Sequence, residues 1–249
     1  MVQDLETKDD RITTPRVLVV IPAFNEEKSI ADVLLRLRAA APDFDRIVVN
    51  DGSRDRTAQV VRDLGEKQLR LAANLGYGAA LQVGMKYALQ QNYEVVVCLD
   101  ADGQHQPEDA PALVQALLAK DADMVIGSRY CDGRPYDAPL DRRIGQLFFS
   151  HLTRLLVGQR IYDTSSGFKA LRSATCEILI HMTFMDFHIE TIVRLIMLGK
   201  KIIEHPVIVY QRTAGYSMHS FASIFAYPLK TLVLTLVTAF DLVLTRRRQ

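Results

Sequence analysis

The sequence predicts an α/β fold: a mostly parallel sheet with helices on both faces, followed by a C-terminal apolar helix. Three observations carry this expectation. Strand-length apolar runs rich in valine and isoleucine alternate with segments of helical period through the first half of the chain. Three of those runs end in polar, turn-forming residues, as strands do when their carboxyl ends open on a ligand crevice. The 249 residues, 49% of them hydrophobic, suffice for one large domain with a substantial core.

In chain order, the strand candidates are Val17–Ala23, Arg46–Asn50, Leu69–Ala72, Val95–Leu99 and Met124–Gly127. Between them, Ser29–Ala40 sets Ile30, Val33, Leu34 and Leu37 on one helical face. Asp55–Leu64, Tyr77–Gln91 and Pro107–Ala119 also read as helices, Pro107 suiting a first turn. Later, Asp141–Val157 is amphipathic, with Ile144, Leu147, Phe148, Leu152 and Leu155 set against Arg142, Arg143 and Arg154. Asp163–Leu171 is polar and contains glycine, Phe187–Leu198 reads as helix, and Lys201–Tyr210 as strand. No linker, internal repeat or low-complexity tract divides the chain.

The ends differ from the middle. Residues 1–14 are acidic and polar, without the basic start and apolar stretch of a secretory signal, and read as a flexible leader. Residues 15–219 form the domain. Residues 220–249 read as an apolar helix closing on Arg246, Arg247 and Arg248. Its uninterrupted part, Thr231 to Phe240, spans about 15 Å as a helix, half a hydrocarbon core. It suits a helix lying in a membrane interface or packing on the domain better than a span. A net charge of +1 lacks the basic excess of a nucleic-acid binder. Cys98, Cys131 and Cys176, odd in number and scattered, fit neither a disulfide framework nor a zinc cluster, and point to a reducing, cytoplasmic setting.

Chemistry concentrates at the strand ends. The first apolar run leads into Asn25, Glu26 and Glu27, the second into Asp51, Gly52 and Ser53, and the fourth into Asp100-Ala101-Asp102-Gly103-Gln104. Residues i and i+2 of an extended segment share a side, so Asp100 and Asp102 can face one target. Two close carboxylates repel unless a cation or proton intervenes. Oxygen ligands suit Mg²⁺ or Mn²⁺, with the Gln104 amide able to join and a diphosphate supplying further oxygens. His105 reads as a solvent-facing loop residue rather than a ligand. Asp51 is open between a nucleobase or ribose contact and a turn cap. Gly76 and Gly78 are open between a phosphate loop and tight packing.

Taken together, VIPAFNEE, VVNDGSRDRT, NLGYGAAL, LDADGQHQPED, MVIGSRY and DTSSGFKALR resemble family 2 glycosyltransferases. More narrowly they look like the dolichol-phosphate mannosyltransferase branch, which acts on polyprenyl phosphates. The motifs run in order from Val17 to Ser217, roughly four-fifths of the chain. The resemblance implies a GT-A fold, Rossmann-like in its sheet. Pro22, Ala23, Asn25, Glu26 and Asp51, with Asp100 and Ala101, fall where the family contacts the donor nucleotide. Asp100, Asp102 and Gln104 match its metal segment, so Mg²⁺ or Mn²⁺ is the implied cofactor. Arg129 matches a residue meeting the acceptor phosphate, assisted by Arg142 or Arg143, which makes Asp102 and Arg129 the catalytic candidates. Glu190 matches an acidic position behind the site. Arg212 opens a segment resembling a lid over the donor phosphates.

Two positions depart from the branch. Met218 stands where a lysine is usual, with His219 beside it, and His188 stands where an acidic residue is more often found. A methionine cannot neutralise phosphate, so the donor-phosphate contact and the sugar are left open. The implied reaction is an inverting, metal-dependent transfer of a sugar from a nucleotide-diphosphate sugar to a polyprenyl phosphate, at the cytoplasmic membrane face. A small membrane partner subunit is a further implied possibility. Three alternatives stay open: transfer to a saccharide or protein hydroxyl, nucleotidyl transfer, and a non-catalytic nucleotide-sugar-binding subunit.

Overall fold

A computed structural model describes residues 15–132, 140–183, 186–210 and 221–246, with backbone alone for 140–142, 221–228 and 243–246. The leader 1–14, Arg212, Met218, His219, Arg247 and Arg248, together with the Arg142 and Arg246 side chains, lie outside that description.

The strands are β1 (Val17–Ala23), β2 (Asp45–Asn50), β3 (Gln68–Arg70), β4 (Val95–Cys98), β5 (Met124–Ser128), β6 (Lys169–Arg172) and β7 (Ile202–Pro206). They join one sheet in the order β3-β2-β1-β4-β6-β5-β7. Every pairing is parallel except those of β6, which runs antiparallel between β4 and β5. The helices are α1 (Ile30–Ala40), α2 (Thr57–Asp63), α3 (Tyr77–Gln90), α4 (Ala110–Ala119), α5 (Leu140–Val157), α6 (Ser173–Leu179), α7 (Ile189–Met197) and α8 (Phe221–Arg246).

Side-chain alternation in β1 divides the core. Val17, Val19 and Ile21 pack with Ile30, Val33, Leu34 and Leu37 of α1 and with Leu113 and Leu117 of α4. Leu18 and Val20 pack on the other face with Leu81 and Met85 of α3, Leu179 of α6 and Ile192 and Leu195 of α7. Burying each such aliphatic side chain stabilises the fold by roughly 1.5–3 kcal/mol.

Four elements differ from expectation. The polar stretch Asp163–Leu171 ends in β6, a four-residue strand whose buried lysine hides its strand character. The helix expected from Pro107 opens as a 3₁₀ turn over Pro107–Asp109, and α4 begins at Ala110 with Pro111, which has no amide hydrogen, in its first turn. The helix expected from Phe187 begins at Ile189, because Phe187 takes a left-handed φ of 66°. The last strand stops at Pro206, and beyond it Val209 forms a bridge to His105.

Candidate active site

β1, β2, β3 and β4 are parallel, so their carboxyl ends meet at one edge of the sheet. There the first two polar loops interlock. The Asn25 amide donates to Ser53 Oγ at 3.0 Å and the Arg54 amide to Asn25 Oδ1 at 2.9 Å. The Glu26 amide donates to Thr57 Oγ1 at 2.8 Å and the Arg56 amide to Glu27 Oε2 at 2.9 Å. Pro22 and Ala23 are buried within β1. The Asp51 carboxylate accepts the amide hydrogens of Leu75 and Gly76 at 2.7 and 2.9 Å, so it caps the loop that leads into α3. Gly52 sits at φ +71°, and a Cβ there would lie 2.6 Å from the Ala73 carbonyl carbon. That close approach helps shape a cleft of about 590 Å³ lined by Phe24, Gly52, Ser53, Arg54 and residues from Arg70 to Asn74.

The acidic turn follows β4. Asp100 and Asp102 are half-buried on either side of buried Ala101. The Asp102 Oδ1 accepts the Gln104 amide hydrogen at 3.0 Å across Gly103, whose φ is 73°. Tyr77, the first residue of α3, donates its hydroxyl to Asp100 Oδ1 at 2.8 Å. From the other side the chain before β6 presses close: a Cβ on Gly167 would lie 2.6 Å from the Tyr77 hydroxyl and 2.7 Å from Asp100 Oδ1. Burial pushes the Asp100 carboxyl above its ordinary range, against the Tyr77 hydrogen bond and the charges of Lys169 and Arg129.

These residues offer hard oxygen donors only. Among the described residues no group of three or more His, Cys, Asp or Glu side chains could hold a metal by itself. The set therefore fits Mg²⁺ or Mn²⁺ sharing its shell with substrate oxygens or water, and does not fit a closed zinc site. Gln104 is tied back to the chain after β7: its Nε2 donates to the Tyr210 carbonyl at 3.4 Å, and its own carbonyl accepts the Tyr210 amide hydrogen at 2.8 Å. His105 corrects the expectation of a solvent-facing ring. It is 5% exposed and packs on Phe168 with centroids 5.2 Å apart, because the bridge to Val209 folds it inward. Burial first, then Arg129, pushes its pKa down to about 4.

Arg129 follows β5. Its Nε and Nη2 donate to the two oxygens of Asp163, both at 2.7 Å, its amide also donates to Asp163 at 3.0 Å, and Nη2 reaches Ser165 Oγ at 2.8 Å. Asp163 is fully buried, and the guanidinium beside it holds its carboxyl below the usual range despite that burial. Glu204 of β7 accepts the amide hydrogens of Tyr162 and Asp163, each at 2.8 Å, and so fixes the base of the pair. Arg143 is exposed on α5. Glu190 is fully buried at the start of α7, and burial raises its pKa.

Sequence reasoning missed Tyr77, Asp163, Lys169 and Glu204. Each bonds to a residue at least 18 positions away, so no local pattern announces it. Asp163 and Lys169 do lie inside DTSSGFKALR, which was the available signal.

Comparison with known proteins agrees with this geometry. The family model described as Glycosyl transferase family 2 matches residues 18–179. The undecaprenyl-phosphate mannosyltransferase of Micrococcus luteus is 34% identical over 215 residues, covering 82% of this chain and 88% of that protein. The polyprenol monophosphomannose synthase of Mycolicibacterium smegmatis is 32% identical over 223 residues, covering 85% and 83%. Among solved structures, glucosyl-3-phosphoglycerate synthase from Mycobacterium tuberculosis, in complex with Mn²⁺, UDP-glucose and phosphoglyceric acid, gives a TM-score of 0.65 at 19% identity, over 90% of this chain and 80% of that one. This last likeness shows the shared fold.

Proposed function

The chain belongs to glycosyl transferase family 2, and on that premise we propose that it moves a hexose, mannose or glucose, from a nucleotide-diphosphate sugar to a polyprenyl phosphate. The transfer inverts the anomeric carbon. The observation carrying this reading is the pairing of two opposite charges at one end of the sheet: the acidic Asp100–Asp102 turn after β4 and the Asp163-clamped Arg129 after β5.

The acceptor phosphate is already anionic near neutral pH, so attack on the sugar needs no strong base. Its oxygen forms the new bond to the anomeric carbon as the bond to the donor diphosphate breaks, and the electron pair leaves with the nucleoside diphosphate. Two anions must therefore approach each other. The cleft beside Gly52 and Arg54 receives the nucleoside, and the interlocked Asn25–Glu27 and Asp51–Thr57 loops keep its walls rigid. Arg129, a planar multi-donor group fixed by Asp163, holds the acceptor phosphate in line. Asp100 and Asp102 would hold Mg²⁺ or Mn²⁺, which when bound neutralises the charge of the departing diphosphate.

The lipid acceptor also explains the outer helices. No helix among the described residues is long and apolar enough to cross a membrane. Yet α5 exposes Ile144, Leu147, Phe148 and Leu155, and α8 exposes Leu229, Val233, Leu236, Val237 and Phe240. Their covered sides carry Ser150, Thr153, Thr231 and Thr235. Apolar side chains outward and small hydroxyls inward suit helices lying against hydrocarbon, with exposed Arg143 and Arg154 near anionic head groups. On this reading the protein sits peripherally on the cytoplasmic membrane face.

The test incubates purified protein with polyprenyl phosphate, Mg²⁺ or Mn²⁺, detergent and a panel of nucleotide sugars. Nucleoside diphosphate release and lipid-linked sugar are both followed. A lipid-linked product that falls at least about 100-fold in Asp102→Asn is expected. Sugar transfer to a hydroxyl acceptor with none to the lipid phosphate would overturn the reading.

A further inference from the structure

Lys169 has no exposed surface, although it lies in β6 at the middle of the sheet, paired with Cys98 and Ile126. A buried ammonium persists only where fixed partners replace its water. Here its Nζ donates to the Phe187 carbonyl oxygen and lies 4.0 Å from the centroid of the Phe187 ring, a cation–π contact. Phe187 is fully buried at a φ of 66°. A bulky L-residue enters that left-handed region only where its surroundings impose it, and such strain gathers at functional sites.

Glu190 grips the same turn from the other side. Its Oε1 accepts the amide hydrogens of Asp186 and His188 at 2.9 and 3.1 Å. The Asp186 carboxylate in turn pairs with Lys230 of α8 at 2.8 Å. At the end of the turn the half-buried His188 ring lies within 6° of parallel to Tyr77, centroids 6.4 Å apart. Tyr77 is the residue bonded to Asp100.

We propose that Lys169 is a positioning residue, whose ammonium clamps the carbonyl and ring of Phe187 and so locks the strained Asp186–His188 turn with His188 facing the Tyr77–Asp100 pair. The inference rests on the reading of Asp100 as part of the donor site, and it adds the turn beside that site to the parts that set how the sugar lies. Burial pushes the lysine down to about 8 while Glu190 holds it up, and burial pushes Glu190 up against its backbone hydrogen bonds and Lys169. The lysine holds the carbonyl of one turn and the glutamate holds its amides.

Lys169→Met keeps the length of the side chain and removes the charge. The variant is expected to fold, and amide hydrogen exchange should speed at least about tenfold at Asp186 and His188 but not in α1. With whichever donor sugar the panel assay yields, kcat should fall roughly 10- to 100-fold while KM for polyprenyl phosphate holds. His188→Ala should show a similar kcat loss, and the double variant should add little to either. Unchanged exchange and kcat in a folded Lys169→Met would overturn the proposal. If Lys169→Met does not fold, His188→Ala decides, and wild-type kcat there overturns it. Should the wild-type chain transfer no sugar at all, the functional reading has failed, and the exchange comparison alone still accepts or rejects the clamp.

Discussion

In α1 the covered side chains are Ile30, Val33, Leu34 and Leu37, whereas in α8 they include Thr231, Thr235 and Leu242, and Leu229, Val233, Leu236, Val237 and Phe240 face outward. α5 resembles α8: Ser150 and Thr153 are covered while Leu155 is 82% exposed. α1 thus buries its apolar stripe, and α5 and α8 expose theirs. In α8 the buried hydroxyl of Thr235 is satisfied within its own helix, donating to the Thr231 carbonyl at 2.7 Å. The contrast teaches that an amphipathic period shows a helix has two faces and leaves open which one turns inward. The environment decides, and on the reading above that environment is water for α1 and lipid for α8.

The sharpest way to break the contrast is to remove the Arg129–Asp163 charge pair. Asp163→Asn takes the carboxylate from beneath Arg129, whose side chain is 17% exposed, and should cost about 3–5 kcal/mol in denaturant unfolding. It should also weaken use of the acceptor, read as a higher KM for polyprenyl phosphate. A loss of stability within experimental error would show that the pair is not a buried anchor.

Opposite substitutions on α8 sharpen the contrast. Thr235→Leu, on the covered side, should overpack and destabilise by about 1–3 kcal/mol. Leu236→Asp with Phe240→Asp, at positions 45% and 65% exposed, should change unfolding by no more than about 1 kcal/mol. The same double variant should lose at least about tenfold in binding to anionic vesicles in a flotation assay. If Thr235→Leu stabilises and the aspartates unfold the protein, α8 has been read the wrong way round.

A last expectation is acid sensitivity at the Asp186–His188 turn. Burial first, then the Lys169 ammonium, pushes His188 from 6.5 down to about 3. Between those values the unfolded chain binds the proton and the folded chain does not. The contribution is therefore whole above 6.5 and is lost as pH falls toward 3. Thermal midpoints measured down that window should fall less steeply in His188→Gln than in wild type. Parallel curves would remove His188 from the account.

Much of the region from β1 to β4 was legible. Val17–Ala23 forms the strand expected, the Ser29–Ala40 period buries the four residues named for it, and the acidic turn stands directly after β4. Local rules suffice there, since strand runs, helical period and turn chemistry all act over a few residues. The stretches that depend on distant partners were read less well for the opposite reason. β6 is four residues long, contains a lysine and owes its existence to two flanking strands. His105 looks like a loop residue until Val209, more than 100 positions later, bridges to it. The apolar stripe of α5 and the apolar run of α8 were seen, and for α8 a membrane interface and packing on the domain both stayed open.

The chain by itself determined the alternating α/β order, the apolar runs that become the sheet, and the carboxylates and arginine at their ends. Those follow from backbone periodicity and hydrophobic patterning, which are properties of neighbours in sequence. Only the tertiary structure decided that Arg129 is locked on Asp163, that Tyr77 and Gly167 close on Asp100, that Lys169 lies under Phe187, and that α8 turns its threonines inward. Those depend on which distant segments meet, because hydrogen-bond partners and burial are set by contacts across the sheet rather than along the chain.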